Sequence, residues 1–378
     1  MQVLFSMKKV CILSSVHPVF DTRIFHKQAH SLVAVGYDVT LIAQHEANEM
    51  VDGIKILALP KPENRFSRIF LTTSTIYRIA LQQKADVYHF HDPELLPTAL
   101  LLKSTTKCRI IYDVHEDYPK TILSKYWLSP IVRRPIAHIF NWMEKWGASR
   151  IDCIIAATDD IAEKFRRTGN VALIKNYPMV EHIIPRNRHG KEHPLVIYAG
   201  VLSKERGIDE IVQAMQYLND SRMPRLVLYG NFDSKFYQET VHKLKGFDKV
   251  EYRGWLQPEA LWQEMGFATI GIICFHPEPN HIKAMPNKLF EYMAAGLPVI
   301  VSNFPLWRKI VEENGCGLTV NPLSPQEIAK AVRYLLDNPG EAIRMGENGR
   351  KLVLEKYSWE TEGRKLLSIY QSLLEHQL

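Results

Sequence analysis

Residues 286–303 read PNKLFEYMAAGLPVIVSN, and their types and spacing describe an anion site built on the start of a helix. Pro286 and Asn287 suit a turn or cap, Lys288–Ala295 predicts a helix, Gly296 stops it, and Pro298 opens a strand. The first amides of that helix, at Asn287–Leu289, would meet an anion, with Lys288 adding a charge. Glu291 follows three residues after Lys288 and four after Asn287, on the same helical side. There it could accept hydrogen bonds from sugar or ribose hydroxyls, although an ordinary solvated glutamate fits the same spacing.

A second candidate is the loop YAGVLSKERG, 198–207, which leaves a strand-like run. Gly200 allows close backbone approach to a phosphate, and Lys204 and Arg206 supply cations. In the first half, VYHFHDPELLP and IIYDVHEDYP end strand-like runs and offer His91, Asp92, Glu94 and His115. Asp21 and Arg23 follow the first such run. No Asp-X-Asp element sits in a convincing metal-binding loop, and Asp159–Asp160 suits a helix start, so metal-independent chemistry is expected.

These groups need a scaffold. VCILSS, an amphipathic stretch at 23–35, Gly36 and VTLIA at 39–43 form a βαβ pattern. Further β-branched runs at Val87–His89, Arg109–Tyr112 and Cys153–Ala156 predict a parallel sheet covered by helices. Residues 178–194 carry three prolines and little periodicity, which suits an exposed linker. After them LVIYAG, RLVLYG, KVEYRG, ATIGIICF, PVIVS and GLTVN predict a second α/β layer, followed by helices from Ser324 to the end. The expected division is a first domain at 1–180, a linker at 181–194, a second domain at 195–355, and a helix at 356–378 packing back toward the first domain. In open parallel sheets, ligands bind beyond the carboxyl ends of the strands, so the expected architecture is two such domains facing across a cleft.

The 378 residues are 46% hydrophobic and 23% charged, enough apolar material for two cores and no signature of disorder. The net charge of +6 is uneven: residues 1–180 hold 23 basic and 17 acidic side chains, whereas the remainder holds 24 of each. That excess suits an anionic partner of the first half. The basic residues form no recognisable nucleic-acid module, so no nucleic-acid partner is expected. In the segment 125–150, Lys125, Arg133, Arg134, Lys145 and Arg150 alternate with Trp127, Ile131, Phe140, Trp142 and Trp146, compatible with peripheral contact with an anionic membrane or with a covering helix. The five cysteines are widely spaced and mostly set in apolar runs, and nothing in the opening residues suggests secretion, so a cytoplasmic protein is expected, in some settings at the inner face of the plasma membrane.

The 286–303 block, FDTRIFHKQAHSLVAVGYDVTLI, YAGVLSKERGIDEIVQAM and GLTVNPLSPQEIAKAVRYLLDNP occur in the collinear order of the retaining glycosyltransferases of family 4, which this chain resembles over nearly its whole length. The resemblance implies the GT-B architecture of two Rossmann-like domains, acceptor in the first and nucleotide-sugar donor in the second. It implies transfer of a hexosyl or N-acetylhexosaminyl group from a nucleoside diphosphate sugar, with a UDP-sugar favoured, to a glycan or lipid-linked glycan in polysaccharide synthesis, without a required cofactor.

By the same resemblance Glu291 matches the second glutamate of the family motif and would bind the donor ribose. His115 would position the transferred sugar or meet the leaving group, and Arg206 would clamp the diphosphate, with Lys204, Gly200, Asn287, Lys288 and Leu289 around it. Gly230 and Asn231 fall where the family contacts base and ribose, while Asp21, Arg23, His91, Asp92 and Glu94 are acceptor-side candidates. Two positions depart from the pattern. Lys283 stands where the first glutamate is expected, leaving Glu278 and the amides around Ala284–Pro286 to serve the sugar, and Val201 stands where the family has a diphosphate-binding arginine. These departures keep two other readings open: a UDP-sugar epimerase of the same fold, and a weakened glycan-binding scaffold subunit.

Overall fold

The computed structural model describes residues 7–64, 67–124, 129–185, 193–219 and 224–375. The chain divides into two compact units, one of residues 1–176 with 362–378, the other of 177–361. The division falls at Asn176/Tyr177, ahead of the linker expected at 181–194, of which residues 186–192 lie outside the described residues.

Unit 1 contains strands β1 (Lys9–Pro18), β2 (Asp38–Gln44), β3 (Glu49–Val51), β4 (Ile54–Leu59), β5 (Val87–Phe90), β6 (Arg109–Val114), β7 (Cys153–Ala156) and β8 (Val171–Leu173). They form one sheet in the order β3-β4-β2-β1-β5-β6-β7-β8, parallel except for the β3–β4 pair. Val10 pairs with Val39 on one side and Val87 on the other, so strand order reverses between β1 and β5. The central strands are largely apolar because helices bury both their faces, with Ser14, His89 and Asp113 as buried polar exceptions. Tyr88, Phe90, Tyr112 and Phe165 fill the core.

The amphipathic stretch expected at 23–35 departs from a single α-helix. Thr22–Ala29 winds as a π-type helix that passes into a short α-helix at His30–Ala34. Asp21 starts it by accepting the backbone N–H groups of Arg23 and Ile24 at 2.8 and 2.9 Å. This wider turn buries Arg23, Lys27 and Gln28 on the side facing the sheet.

Unit 2 contains β9 (Leu195–Ala199), β10 (Arg225–Tyr229), β11 (Val250–Gly254), β12 (Ile270–Ile273), β13 (Val299–Ser302) and β14 (Gly317–Val320). All are parallel in the order β11-β10-β9-β12-β13-β14, the doubly wound arrangement with its reversal between β9 and β12. Tyr198, Phe290, Tyr292 and Trp307 are fully buried in its core. Ligand sites of such sheets lie outside the carboxyl ends of the strands at these reversals.

The last helix, Trp359–Glu375, starts in unit 2, where the Trp359 N–H donates to the Pro178 carbonyl. From Glu362 onward it belongs to unit 1, where Glu362 accepts the Lys175 N–H. All five cysteines are free and buried.

Candidate functional site

In unit 2 the candidate groups gather at the β9/β12 reversal. The loops after β9 and β10 are laced together: the Gly200 N–H donates to the Tyr229 carbonyl, and the Leu202 N–H to that of Asn231. Gly200 and Gly230 have φ of +145° and +130°. A Cβ on Gly200 would lie 2.4 Å from Cε and 2.8 Å from Nζ of Lys288, so the lysine lies directly over the strand end. A Cβ on Gly230 would lie 1.8 Å from the Gly200 carbonyl oxygen.

Lys288 belongs to the helix Asn287–Ala294, whose start at Pro286 has no side-chain cap. Burial lowers the pKa of Lys288; the charge of Glu291 opposes the shift and that of Arg206 adds to it, so the three groups act on one another. Arg206 closes the turn Lys204–Arg206 with its guanidinium 5.1 Å from the Phe275 ring centroid. The structure thus brings together Gly200, Arg206, Lys288 and Glu291, with Gly230 behind Gly200.

Other expected members stand differently. Lys204, Asn231 and Asn287 are exposed. Leu289 is fully buried and its N–H already donates to the Pro286 carbonyl, which removes it from the expected set of anion-facing amides. Glu278 is exposed just ahead of the short helix Pro279–Ile282, and Lys283 is exposed after it. The amides expected around Ala284–Pro286 are largely spent: the Ala284 N–H donates to His281, its carbonyl accepts the Trp307 indole, and Pro286 has no N–H. At the end of β11, whose Gly254 carbonyl accepts the Gly230 N–H, Arg253 is held by Glu251 at 2.7 Å and by Glu264 at 2.8 Å.

In unit 1 the strand ends at the β1/β5 reversal and the adjoining β6 carry a buried polar cluster. Its centre is Asp113, next to last in β6, gripped by Arg23 with Nε to Oδ2 at 3.1 Å and Nη2 to Oδ2 at 3.0 Å, and accepting Gln28 as well. Burial alone would raise the Asp113 pKa, but the Arg23 guanidinium holds it well below the ordinary carboxylate value. Arg23, an acceptor-side candidate, is instead 5% exposed and also donates to the Ile174 carbonyl. Asp21 caps the helix that carries it.

His115 stands beyond β6 with Nδ1 3.8 Å from Asp113 Oδ1 and Nε2 3.0 Å from Nε2 of His17. Burial pushes its pKa down, yet the Asp113 carboxylate outweighs burial and raises it. His17 in turn lies 3.5 Å from Asp92 Oδ1. Asp92 ties the β1 end by accepting Ser14 Oγ at 2.9 Å and the Ser15 N–H at 2.7 Å. Glu94 pairs with Arg68 at 2.7 Å and accepts Ser15 Oγ. His91 is buried with neither ring nitrogen hydrogen-bonded, and burial holds its pKa well below the ordinary value.

Sequence reading missed His17, Gln28, His89, Asp113 and Tyr370 in this cluster. The usable signal was a charged or imidazole side chain inside an apolar strand, as at His89 and Asp113. Among the described residues, one set, His89, His91 and Asp113, brings ligand atoms within 4.8 Å of one another. Both Asp113 oxygens already face the Arg23 guanidinium, which would repel a cation, so the set fits a hydrogen-bonded cluster better than a metal centre.

The comparisons with known proteins match this division. Residues 22–176 match the family model "Glycosyltransferase Family 4" and residues 179–352 match "Glycosyl transferases group 1". An uncharacterized glycosyltransferase of Methanocaldococcus jannaschii is 28% identical over 185 residues, 49% of this chain and 46% of its own length, so the match spans about half of that relative. Among solved structures, sucrose-phosphate synthase of Thermosynechococcus elongatus superposes with a TM-score of 0.74 at 18% identity, covering 98% of this chain and 100% of the other. Anabaena HepE in complex with UDP-glucose superposes at 0.66 with 14% identity, covering 97% and 100%. With two matched models over two Rossmann-like units, the chain belongs to the GT-B fold glycosyltransferase superfamily.

Proposed function

We propose that this chain is a retaining glycosyltransferase that moves a hexosyl or N-acetylhexosaminyl group from a nucleoside diphosphate sugar, a UDP-sugar by preference, to a glycan or lipid-linked glycan in cell-surface polysaccharide synthesis. The observation that carries the reading is the Lys288 side chain lying over Gly200 at the β9/β12 reversal, within electrostatic reach of Arg206 and Glu291. Two cations and a close-approach glycine suit a diphosphate, and a carboxylate one turn further suits the ribose hydroxyls. Lys288 also answers the departure at Val201, since its ammonium supplies a second positive charge beside Arg206. The complex of Anabaena HepE with UDP-glucose supports the choice of nucleotide.

In the reaction, the bond between the anomeric carbon and the β-phosphate oxygen breaks, and the acceptor oxygen bonds that carbon on the same face. The acceptor proton passes to the departing phosphate, so no enzymic nucleophile and no metal is called for. Lys288 and Arg206 stabilise the charge growing on the leaving diphosphate. His115, kept protonated to higher pH by Asp113, would meet the transferred sugar or its phosphate. Asp92, Glu94 and His91 would lie on the acceptor side. The cytoplasm, at the inner face of the plasma membrane, is the compartment where such donors and lipid-linked acceptors meet.

Purified protein incubated with a panel of nucleoside diphosphate sugars and lipid-linked or soluble glycans tests the reading through acceptor-dependent nucleotide release and NMR of the product anomer. Release with retained configuration is expected. Inversion would overturn the retaining mechanism. An altered free nucleotide sugar without transfer would identify an epimerase, and tight UDP binding without turnover would identify a glycan-binding subunit, the outcome that Lys283 and Val201 would then explain.

A further inference from the structure

The helix Pro130–Ala148 in unit 1 is turned the opposite way from an ordinary amphipathic helix. At about 100° per residue, Ile131, Ile136, Ile139, Trp142, Met143 and Trp146 fall within an arc of about 140°. All six are solvent-exposed, Ile131 by 84%, Trp142 by 66% and Ile139 by 59%. The face turned to the rest of unit 1 is made of Ala137, Glu144, Gly147 and Ala148, all buried. That orientation is fixed: a Cβ on Gly147 would lie 2.4 Å from a methyl of Leu96, and Glu144 accepts the Tyr112 hydroxyl at 2.9 Å and pairs with Lys164 at 2.7 Å. The large side chains cannot be rotated inward without breaking this seam. A contiguous apolar stripe of this size marks a surface that is covered in use.

Charge identifies the cover. Glu144, which is buried, is the helix's sole carboxylate, whereas Arg134 and Lys145 border the stripe. Arg150, just past the helix end, lies over the Trp146 ring at 3.9 Å from its centroid. A second copy of the same face would set these cations against each other. A layer with an anionic polar surface and an apolar interior satisfies both parts: the aromatic and aliphatic side chains enter the acyl boundary while arginine and lysine heads stay among the phosphates. Ile69, Phe70 and Leu71 of the helix Ser67–Thr72 in the same unit are also exposed. No described helix is long and apolar enough to cross a membrane, so contact would lie in the plane of the surface.

We infer that the outer face of the helix Pro130–Ala148 docks unit 1 onto an anionic lipid surface. The docking surface is separate from the donor groups, and its test does not use glycosyl transfer. The full chain is sedimented with vesicles of phosphatidylcholine alone and of phosphatidylcholine with phosphatidylglycerol, at low and high salt. Binding to the anionic vesicles is expected, weakened by salt, with tryptophan emission shifted to the blue. Ile139→Glu with Trp142→Glu should weaken binding by at least about tenfold, with an unchanged far-UV circular dichroism spectrum, since both side chains lie outside the packed seam. Arg134→Gln with Lys145→Gln should abolish the preference for anionic over neutral vesicles while leaving fold and donor binding intact. Absence of binding to anionic vesicles at low salt would overturn the inference, as would equal binding by the Ile139→Glu/Trp142→Glu variant. A dimer that this variant dissociates, with no vesicle binding by the parent chain, would assign the face to a second copy and overturn it equally.

Discussion

The Tyr370 hydroxyl lies 2.8 Å from Nδ1 of His89, joining the last helix to the polar cluster at the centre of unit 1 although 281 residues separate them. Both side chains are fully buried. The other His89 nitrogen lies 3.7 Å from Asp113, so Tyr370 sets the orientation of a ring that backs the Arg23–Asp113 pair. Tyr370→Phe leaves a buried imidazole nitrogen without its partner, which should cost about 1–3 kcal/mol. Urea unfolding followed by a probe in unit 1 should show that loss, while UDP affinity, a property assigned to unit 2, stays unchanged. An unshifted transition would show that the bond contributes nothing.

Acid should weaken unit 1 well before its carboxylates titrate. Burial lowers the pKa of His89, and of His91 further, so both stay neutral in the fold while the unfolded chain protonates them near the ordinary value of 6.5. Below that value the unfolded state binds more protons and stability falls as pH falls. His115 works the other way: its raised pKa contributes stability that is complete below 6.5 and lost as pH rises through its folded value. Two histidines against one leave a net loss on the acid side. Asp113 adds nothing in this window, because its stabilisation persists above the ordinary value of 3.8 and fades only toward its much lower folded pKa. Thermal unfolding from pH 7 to 5.5 should show the decline, and His91→Asn should flatten it; an unaltered slope in that variant would remove His91 as the cause.

Much of this arrangement was legible because parallel strands buried on both faces are written as continuous apolar runs. The four inner strands of unit 2, from LVIYA to VIVS, coincide with such runs, whereas the edge strand β11, VEYRG, carries two charges and is only partly buried. Three strands escaped notice: β3 and β8 are three residues long and lie at the sheet edges, where half-exposed side chains carry no pattern, whereas β4, IKILAL, lies inside the sheet and follows β3 after only a two-residue turn, which breaks the spacing expected of a βαβ unit. The π-type winding at Thr22–Ala29 was invisible because its apolar spacing resembles that of an α-helix. The donor-side groups were readable because Gly200, Arg206, Lys288 and Glu291 sit in two short segments. The unit 1 cluster draws His17, Arg23, His89, Asp113 and Tyr370 from five separate elements, and only the fold brings them together.

Gly200 and Gly230 both have positive φ, yet their replacement by alanine should have different consequences. At Gly200 the new methyl meets the flexible end of Lys288, which can withdraw, so the fold survives with a modest backbone cost and the ammonium is displaced from the strand end. At Gly230 the methyl meets the Gly200 carbonyl oxygen, a backbone atom held in the lacing of the two loops. Gly200→Ala should therefore raise the UDP dissociation constant with little change in Tm, whereas Gly230→Ala should lower Tm by several degrees. Equal loss of Tm in both would show that the loop lacing, rather than Lys288, dominates at Gly200.

Lys288 is the most exacting test of the donor assignment. Burial and the charge of Arg206 lower its pKa while Glu291 counteracts them, so the ammonium is held at a cost that a bound diphosphate would relieve. Lys288→Met removes the charge but keeps most of the stem, and kcat/KM should fall by about 10²–10³ if the charge stabilises the leaving group. Folding should be unharmed, because neutralising a partly desolvated cation removes a penalty. Arg206→Ala should lose a similar factor, and the double variant should lose less than the product of the two, since both cations would act on one diphosphate. In the parent enzyme the deprotonation of Lys288 should end the alkaline limb of kcat/KM below the ordinary lysine value of 10.5, and Lys288→Met should lack that limb. A Lys288→Met variant with parental kcat/KM and an unchanged alkaline limb would show that the lysine fills the space over Gly200 without meeting the donor.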